Sequence, residues 1–196
     1  MSLKLLSQSI LFNVKHLFLE SENLFELLGV KETDRILQIG CSSGCYTRAL
    51  ARLAKDGKVY VIDECNKALS RVTAESDNGH NIVTICCSPD ALLLPRLTFD
   101  KIFCLNGLPP TSNVERAVVR WCELLKSRGK FFLRATRNLE PRALQMFSKD
   151  TLYHVGTMKG VDVFVKDWEQ PPDETDQPAE VYSGFLFPDA LFEPAG

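Results

Sequence analysis

Apolar and polar positions recur along this chain with two different periods. In the first twenty residues Leu3, Leu6, Ile10, Val14, Leu17 and Phe18 follow helical spacing, which predicts an amphipathic docking helix over 1–20. A second, short helix follows from Ser21. Ser21 is placed to cap it, Leu24, Phe25, Leu27 and Leu28 form its apolar side, and Gly29 ends it. The pattern then changes to short, nearly continuous apolar runs. RILQIG, KVYVID, NIVTICC, FDKIFCL and GKFFLRA read as strands, and TLYHVG and VDVFVKD as a terminal hairpin. Helices such as YTRALARLAK and VERAVVRWCELLKS separate them. Strand, glycine turn, helix and strand form a βαβ unit, whose crossover is right-handed. Near-continuous apolar strands are those covered on both faces. The expected fold is α/β: a doubly wound, mostly parallel seven-stranded sheet with helices on both faces and a C-terminal antiparallel hairpin.

Composition changes this picture mainly at the ends. The 196 residues hold 23 Lys+Arg against 25 Asp+Glu, a formal charge of −2, and 45% are hydrophobic. These fractions exclude wholly disordered, collagen-like and coiled-coil chains. No apolar run reaches the ~18 residues that a membrane span requires. Charge is unevenly spread, because no Lys or Arg follows Lys166: residues 1–168 carry +5 and residues 169–196 carry −7. EQPPDETDQPAE reads as an exposed linker, and VYSGFLFPDALF beyond it is apolar enough to fold back or to engage a partner. The expected organisation is a docking helix over 1–20, an α/β domain over 21–168 and an acidic, Pro-rich tail over 169–196. The first helix is too amphipathic for a signal peptide and too poor in Arg and Ser for a mitochondrial leader. Seven cysteines without a CxxC pair read as reduced thiols of a cytoplasmic protein.

Ligands in this fold sit at the carboxyl ends of the strands, so GCSSG after the first strand is the place to look. A dinucleotide fingerprint laid from Gly40 would put Ser42 and Cys45 where glycines belong, and it fails at two positions of three. The looser pattern acid-x-G-x-G-x-G reads Gln38, Gly40, Ser42, Gly44, with both outer glycines present. Later features follow in order: VYVID ending at Asp63, CCSPDALLLP, FDKIFCLNGL and LLKSRGKFFL. In this order, residues 21–137 resemble the class I (Rossmann-like) S-adenosylmethionine-dependent methyltransferases. That family's recurring text includes an "LGxxxGDRVLDIGCGxG" start, a "VxGIDxSxxAL" second strand, a "GDAxxLP" loop, an "FDxV" fourth strand and an "LLKPGGxLxL" fifth.

The resemblance implies S-adenosylmethionine as cofactor, with its methionine end at the Gly40–Gly44 turn, its ribose at Asp63 and its adenine at Asp90 and Ala91. Backbone N–H groups at the start of the following helix would hold the cofactor's carboxylate. Asn106, after the fourth strand, falls at the reaction edge as the candidate catalytic residue. Two positions depart from the family's pattern. Gln38 replaces the usual acid and Ser42 the middle glycine, so one attraction to the cofactor's ammonium is weakened and lower affinity is expected.

Methyl transfer is an in-line displacement that needs positioning, and a base only where the acceptor must lose a proton. NGLPPTS lacks the Asn/Asp-Pro-Pro-aromatic tetrad of adenine and glutamine N-methyltransferases, and no Cys follows a Pro as in cytosine C5 enzymes. His16, His80 and His154 are scattered, so no metal site is expected; of these, His154 alone merits testing. Arg134, Arg137 and Arg142 are candidates to clamp an anionic substrate, or form a solvated rim. A body of +5 without interleaved aromatics argues against extended nucleic-acid binding. The expected function is O- or N-methylation of a small molecule or protein side chain. The alternatives are a non-catalytic methyltransferase-like domain serving as partner subunit or scaffold, and a nucleotide-dependent oxidoreductase, against which the missing glycines count. The docking helix and the acidic tail are the candidate surfaces for a protein partner, and the tail is also a candidate lid over the basic edge.

Overall fold

The computed structural model describes residues 20–74, 79–106, 108, 114–134, 151–167 and 192–193. The expected docking helix up to residue 19, Arg137 and Arg142, and the tail apart from Phe192–Glu193 lie outside the described residues.

Helix α1 (residues 20–27) ends as its sequence requires. Gly29 takes φ 73°, its N–H donates to the Glu26 carbonyl at 2.9 Å, and the Val30 N–H donates to the Phe25 carbonyl at 3.0 Å. This paired closure is a Schellman motif, which glycine permits without Cβ strain. Glu20 is already helical, so Ser21 lies inside the helix and does not cap it. Phe25 and Leu28 are buried, whereas Leu27 faces outward.

The chain continues through β1 (Arg35–Ile39), α2 (Cys45–Leu53), β2 (Lys58–Asp63), α3 (Asn66–Ala74), a 3₁₀ turn (Gly79–Asn81), β3 (Ile82–Cys86) and β4 (Phe99–Cys104). Next come α4 (Val114–Leu124), β5 (Leu125–Leu133), β6 (Leu152–Met158), β7 (Val161–Lys166) and the two-residue β8 (Phe192–Glu193). The sheet order is β3-β2-β1-β4-β5-β7-β6-β8. Strands β1 to β5 pair in parallel, and β7 runs antiparallel between β5 and β6. All seven expected strands are present. The eighth comes from the tail and pairs Thr157 with Glu193 and Met158 with Phe192. Lys159 and Gly160, with φ 51° and 71°, close the β6–β7 hairpin in the type I′ geometry that matches strand twist.

The β3–β4 link, residues 87–98, is a loop, interrupted by Pro89 and Pro95, and it leaves Leu93 91% exposed. One connection differs from the sequence reading. Helix α4 stops at Leu124, and LKS passes into β5, because the strand pairs Leu125 with Phe99 before a bulge shifts the register.

Helices cover both sheet faces. Phe25, Leu28, Leu50 and Val72 from α1, α2 and α3 pack on Phe103 and Phe132, and Val118 and Trp121 of α4 pack on the opposite face with Phe131 and Phe164. At the amino edge, Asp34 accepts the Lys31 N–H at 2.8 Å and pairs with the Lys101 ammonium, both side chains being under a tenth exposed. A Cβ on Gly57 would lie 2.0 Å from the Asp34 carbonyl oxygen, so glycine alone fits there. Lys130, opposite Lys101 on β5, has its ammonium pushed down to about 8 by burial and by the nearby Lys101 and Lys31 charges. No helix among the described residues is long and apolar enough to cross a membrane.

Candidate functional site

The chain leaves β1 toward β2 and β3, then returns to β4 on the other side of β1. Such a reversal opens a crevice outside the carboxyl ends of the strands. Here that crevice is a cleft of about 420 Å³, lined by Gly40, Ser42, Asp63, Glu64, Cys65 and Asn106, with apolar contributions from Pro89 and Leu108.

Its floor is the GCSSG turn. Gly40, Ser42 and Gly44 all adopt positive φ, at 78°, 49° and 80°, which explains why glycine suits each of the three positions. Ser42 holds the left-handed conformation with a Cβ, at a cost of about 1–2 kcal/mol. Gly44 has a second reason to be glycine, since a Cβ there would lie 3.1 Å from Val72 and 3.2 Å from Arg48. It also begins α2, whose first turn carries no acidic residue and whose N-cap provides no side chain, so the positive end of the helix dipole meets this turn uncompensated.

Asp63 closes one wall. Its Oδ2 accepts the Cys41 N–H at 2.9 Å and the Cys41 thiol at 3.3 Å, while Oδ1 accepts the Cys65 N–H at 2.8 Å. Burial raises its pKa, but these donors together with the Ser42 N–H outweigh that and hold the carboxyl below its usual value. The same burial and the Asp63 carboxylate push the Cys41 thiol up to about 12, so it is a protonated donor and not a nucleophile.

Gln38, buried below the turn, is engaged at both ends. Its Oε1 accepts the Thr47 hydroxyl at 2.8 Å and its Nε2 donates to the Gly40 carbonyl at 2.9 Å. Asn106 Nδ2 donates to the same carbonyl at 3.1 Å. Asn106 is therefore a cleft residue with an oriented amide.

The remaining expected residues separate from this group. Asp90 and Ala91 line a different groove of about 300 Å³ against α4, where Asp90 accepts the Ser88 hydroxyl and the Ala91 N–H donates to the Ser88 carbonyl at 3.0 Å. Pro89 faces the cleft instead, its carbonyl anchored by the Trp121 indole N–H at 3.1 Å. Arg134, just past β5, donates to the Tyr46 hydroxyl at 2.8 Å and sits 5.8 Å from that ring's centre, so α2 holds it in place. His154 is buried against Asp162 at 3.2 Å within the β6–β7 hairpin. His80 is exposed on the 3₁₀ turn. No cluster able to hold a metal ion occurs among the described residues. Thr47, Cys65 and Pro89 were not legible as site residues. Cys65 stands two residues after Asp63, which is a usable signal, whereas Thr47 carries none.

The sheet order and the glycine turn under β1 define the class I methyltransferase fold. Residues 36–129 match the family model described as a methyltransferase domain. It is 30% identical over 140 residues to the probable methyltransferase ltbC of Aspergillus luteorubrus, covering 65% of this chain and 49% of that protein. It is 29% identical over 129 residues to the ubiquinone/menaquinone biosynthesis C-methyltransferase UbiE of Bordetella parapertussis, covering 62% and 49%. The chain thus spans about half the length of these two curated relatives. The crystal structure of the N-methyltransferase NodS from Bradyrhizobium japonicum superposes with a TM-score of 0.62 at 18% identity, covering 75% of this chain and 94% of NodS.

Proposed function

We propose that the cleft binds S-adenosylmethionine and that the protein transfers its methyl group to a nitrogen or oxygen of a small molecule or protein side chain, in the cytoplasm. One observation carries this reading: the G-x-S-x-G turn, Asp63 and Asn106 converge on a single cleft at the strand-order reversal. A related structure, that of NodS, was solved in complex with S-adenosyl-L-homocysteine. The donor set fits the nucleoside. Each carboxylate oxygen has two lone pairs, and the bonds to Cys65 and Cys41 leave Oδ1 of Asp63 with capacity for a ribose hydroxyl. Its depressed pKa keeps it an acceptor through neutral pH.

The bound cofactor supplies an electrophilic methyl group on a sulfonium. What the chain itself provides is position. With its Nδ2 fixed on Gly40, Asn106 offers Oδ1 as an acceptor for the N–H or O–H of an incoming nucleophile. The ionisable side chains among the described lining residues are Asp63, Glu64 and Cys65, with no His or Lys. That favours an acceptor such as a neutral amine, whose lone pair is available without prior deprotonation. Arg134, held over Tyr46, is the described member of the arginine group that would meet an anionic part of the substrate.

Thermal unfolding with S-adenosylmethionine, S-adenosylhomocysteine or NAD tests this. At 100 times Kd a ligand adds about 2.7 kcal/mol, which for this size raises Tm by roughly 5–10 °C. The expected result is a shift with both adenosyl-sulfur ligands and none with NAD. Asp63→Asn should weaken the shift by at least about tenfold in Kd, the worth of a charge-assisted hydrogen bond. A shift with NAD alone would overturn the reading.

A further inference from the structure

We infer that Cys65 and Cys86 are a redox-active pair beside the cleft, which a small disulfide such as glutathione disulfide converts to a reversible Cys65–Cys86 bond that weakens ligand binding. The bond is independent of the cofactor reading above; its effect on binding rests on that reading.

Exposure and position lead to it. Of the seven cysteines, Cys41, Cys45, Cys104 and Cys122 are buried and Cys87 is half-buried, which leaves Cys65 and Cys86 as the exposed thiols. These two are neighbours at the ends of β2 and β3. Cys86 is the register partner of Asp63, and Cys65 follows Asp63 by two residues, where its N–H donates to Asp63 Oδ1 at 2.8 Å in an Asx turn. The Cys86 thiol donates to the Glu64 carbonyl at 3.5 Å. That carbonyl belongs to the peptide unit entering Cys65, so standard backbone dimensions put the Cys86 sulfur within roughly 6–7 Å of the Cys65 Cα. Both residues also belong to one side of the sheet. Ile85 packs with the α4 cluster, so strand alternation turns Cys86 toward the side that carries α3, and the Cys65 carbonyl accepts the Ala68 N–H at 2.9 Å to begin α3. Adjacent strands are about 4.8 Å apart, inside the roughly 4.4–6.8 Å that a disulfide spans between Cα atoms, so side-chain rotation and a small adjustment of the Cys65 turn bring the sulfurs into bonding range. Burial holds the Cys41, Cys104 and Cys122 thiols up at about 12 and out of such chemistry.

In the reaction the Cys65 thiolate attacks one sulfur of glutathione disulfide and expels a first glutathione thiolate. The Cys86 thiolate then attacks the Cys65 sulfur of the mixed disulfide and expels the second. Two electrons pass to glutathione disulfide, and the two thiol protons end on the two glutathione molecules released. Cys65 lines the cleft and orients Asp63 through its N–H, so drawing it toward β3 disturbs that carboxylate.

Incubation of the full chain with excess glutathione disulfide, followed by thiol alkylation and peptide mapping, tests the bond. The expected product links Cys65 to Cys86, and dithiothreitol restores both thiols. Cys86→Ser should stop at a glutathione held on Cys65, whereas Cys87→Ser should still form the bond. A link through Cys87, stable glutathione adducts on Cys65 and Cys86 together, or two thiols left free would each overturn the inference. Calorimetric titration of the reduced and the oxidised chain with S-adenosylhomocysteine tests the effect on the cleft. Oxidation should raise Kd at least about tenfold, the worth of a charge-assisted hydrogen bond. Equal Kd values would overturn the effect on the cleft and leave the cofactor site standing. A reduced chain that fails to bind at millimolar concentration would remove the cofactor site and that effect together, while the mapped bond is decided by the first experiment alone.

Discussion

The two ends of the same parallel strands are built on opposite principles. At the amino edge the polar groups are closed on one another. Asp34 holds Lys101 and the Lys31 N–H, Asp100 accepts the Arg35 N–H at 2.9 Å and the Lys126 ammonium at 2.7 Å, and the Lys58 N–H donates to the Asp34 carbonyl at 3.1 Å. At the carboxyl edge the backbone turns through three left-handed residues, one of them a serine, and a cleft stays open beside a carboxylate. Strain and open polar groups concentrate at functional sites, and they persist where the surrounding structure is firm. The ion-paired edge supplies that firmness.

The comparison breaks most severely at Asp34. Asp34→Ala leaves the Lys101 ammonium buried without its partner, which should cost about 3–5 kcal/mol, or roughly 6–20 °C in Tm, while the folded fraction keeps its ligand affinity. Urea unfolding and ligand titration check the two halves; a loss of affinity equal to the loss of stability would show the edges to be one unit. A middle-sized effect is expected at Lys130. Its folded pKa of about 8 lies below its ordinary 10.5, so between these values the unfolded chain binds the extra proton and stability climbs as pH rises. Lys130→Met should be more stable than the parent by about 1–2 kcal/mol at neutral pH, a value discounted for its partial exposure, and its advantage should fade from pH 8 to 10.5. Parallel curves for the two proteins would contradict the assignment. The smallest effect belongs to Ser42→Gly. Relief of the left-handed serine is partly offset by glycine's greater freedom when unfolded, leaving a gain of up to about 1 kcal/mol in unfolding free energy. A loss of stability would mean that the Ser42 side chain stabilises the turn.

Much of the fold was legible because parallel strands covered on both faces are written as continuous apolar runs. RILQIG and KVYVID coincide with β1 and β2 almost to the residue. The start of β5 was not legible, because LLKS continues the helical spacing of α4 and only the pairing of Leu125 with Phe99 makes it a strand. At the site, the turn and Asp63 were visible from spacing alone. The hydrogen bonds beneath the turn were not: Gln38 and Thr47 lie nine residues apart, and Asn106 reaches Gly40 across 66.

The sequence by itself determined the order and type of the elements, the glycine turn after β1, and a carboxylate at the end of β2. These follow from periodicity and from the steric allowance of single residues, which neighbours along the chain decide. Only the tertiary structure decided that Asp90 and Ala91 face a groove apart from Asp63, that Arg134 rests on Tyr46, and that Gln38 spends its carbonyl on Thr47. A side chain's donors and acceptors are finite, and which of them remain for a ligand depends on what the fold packs beside them.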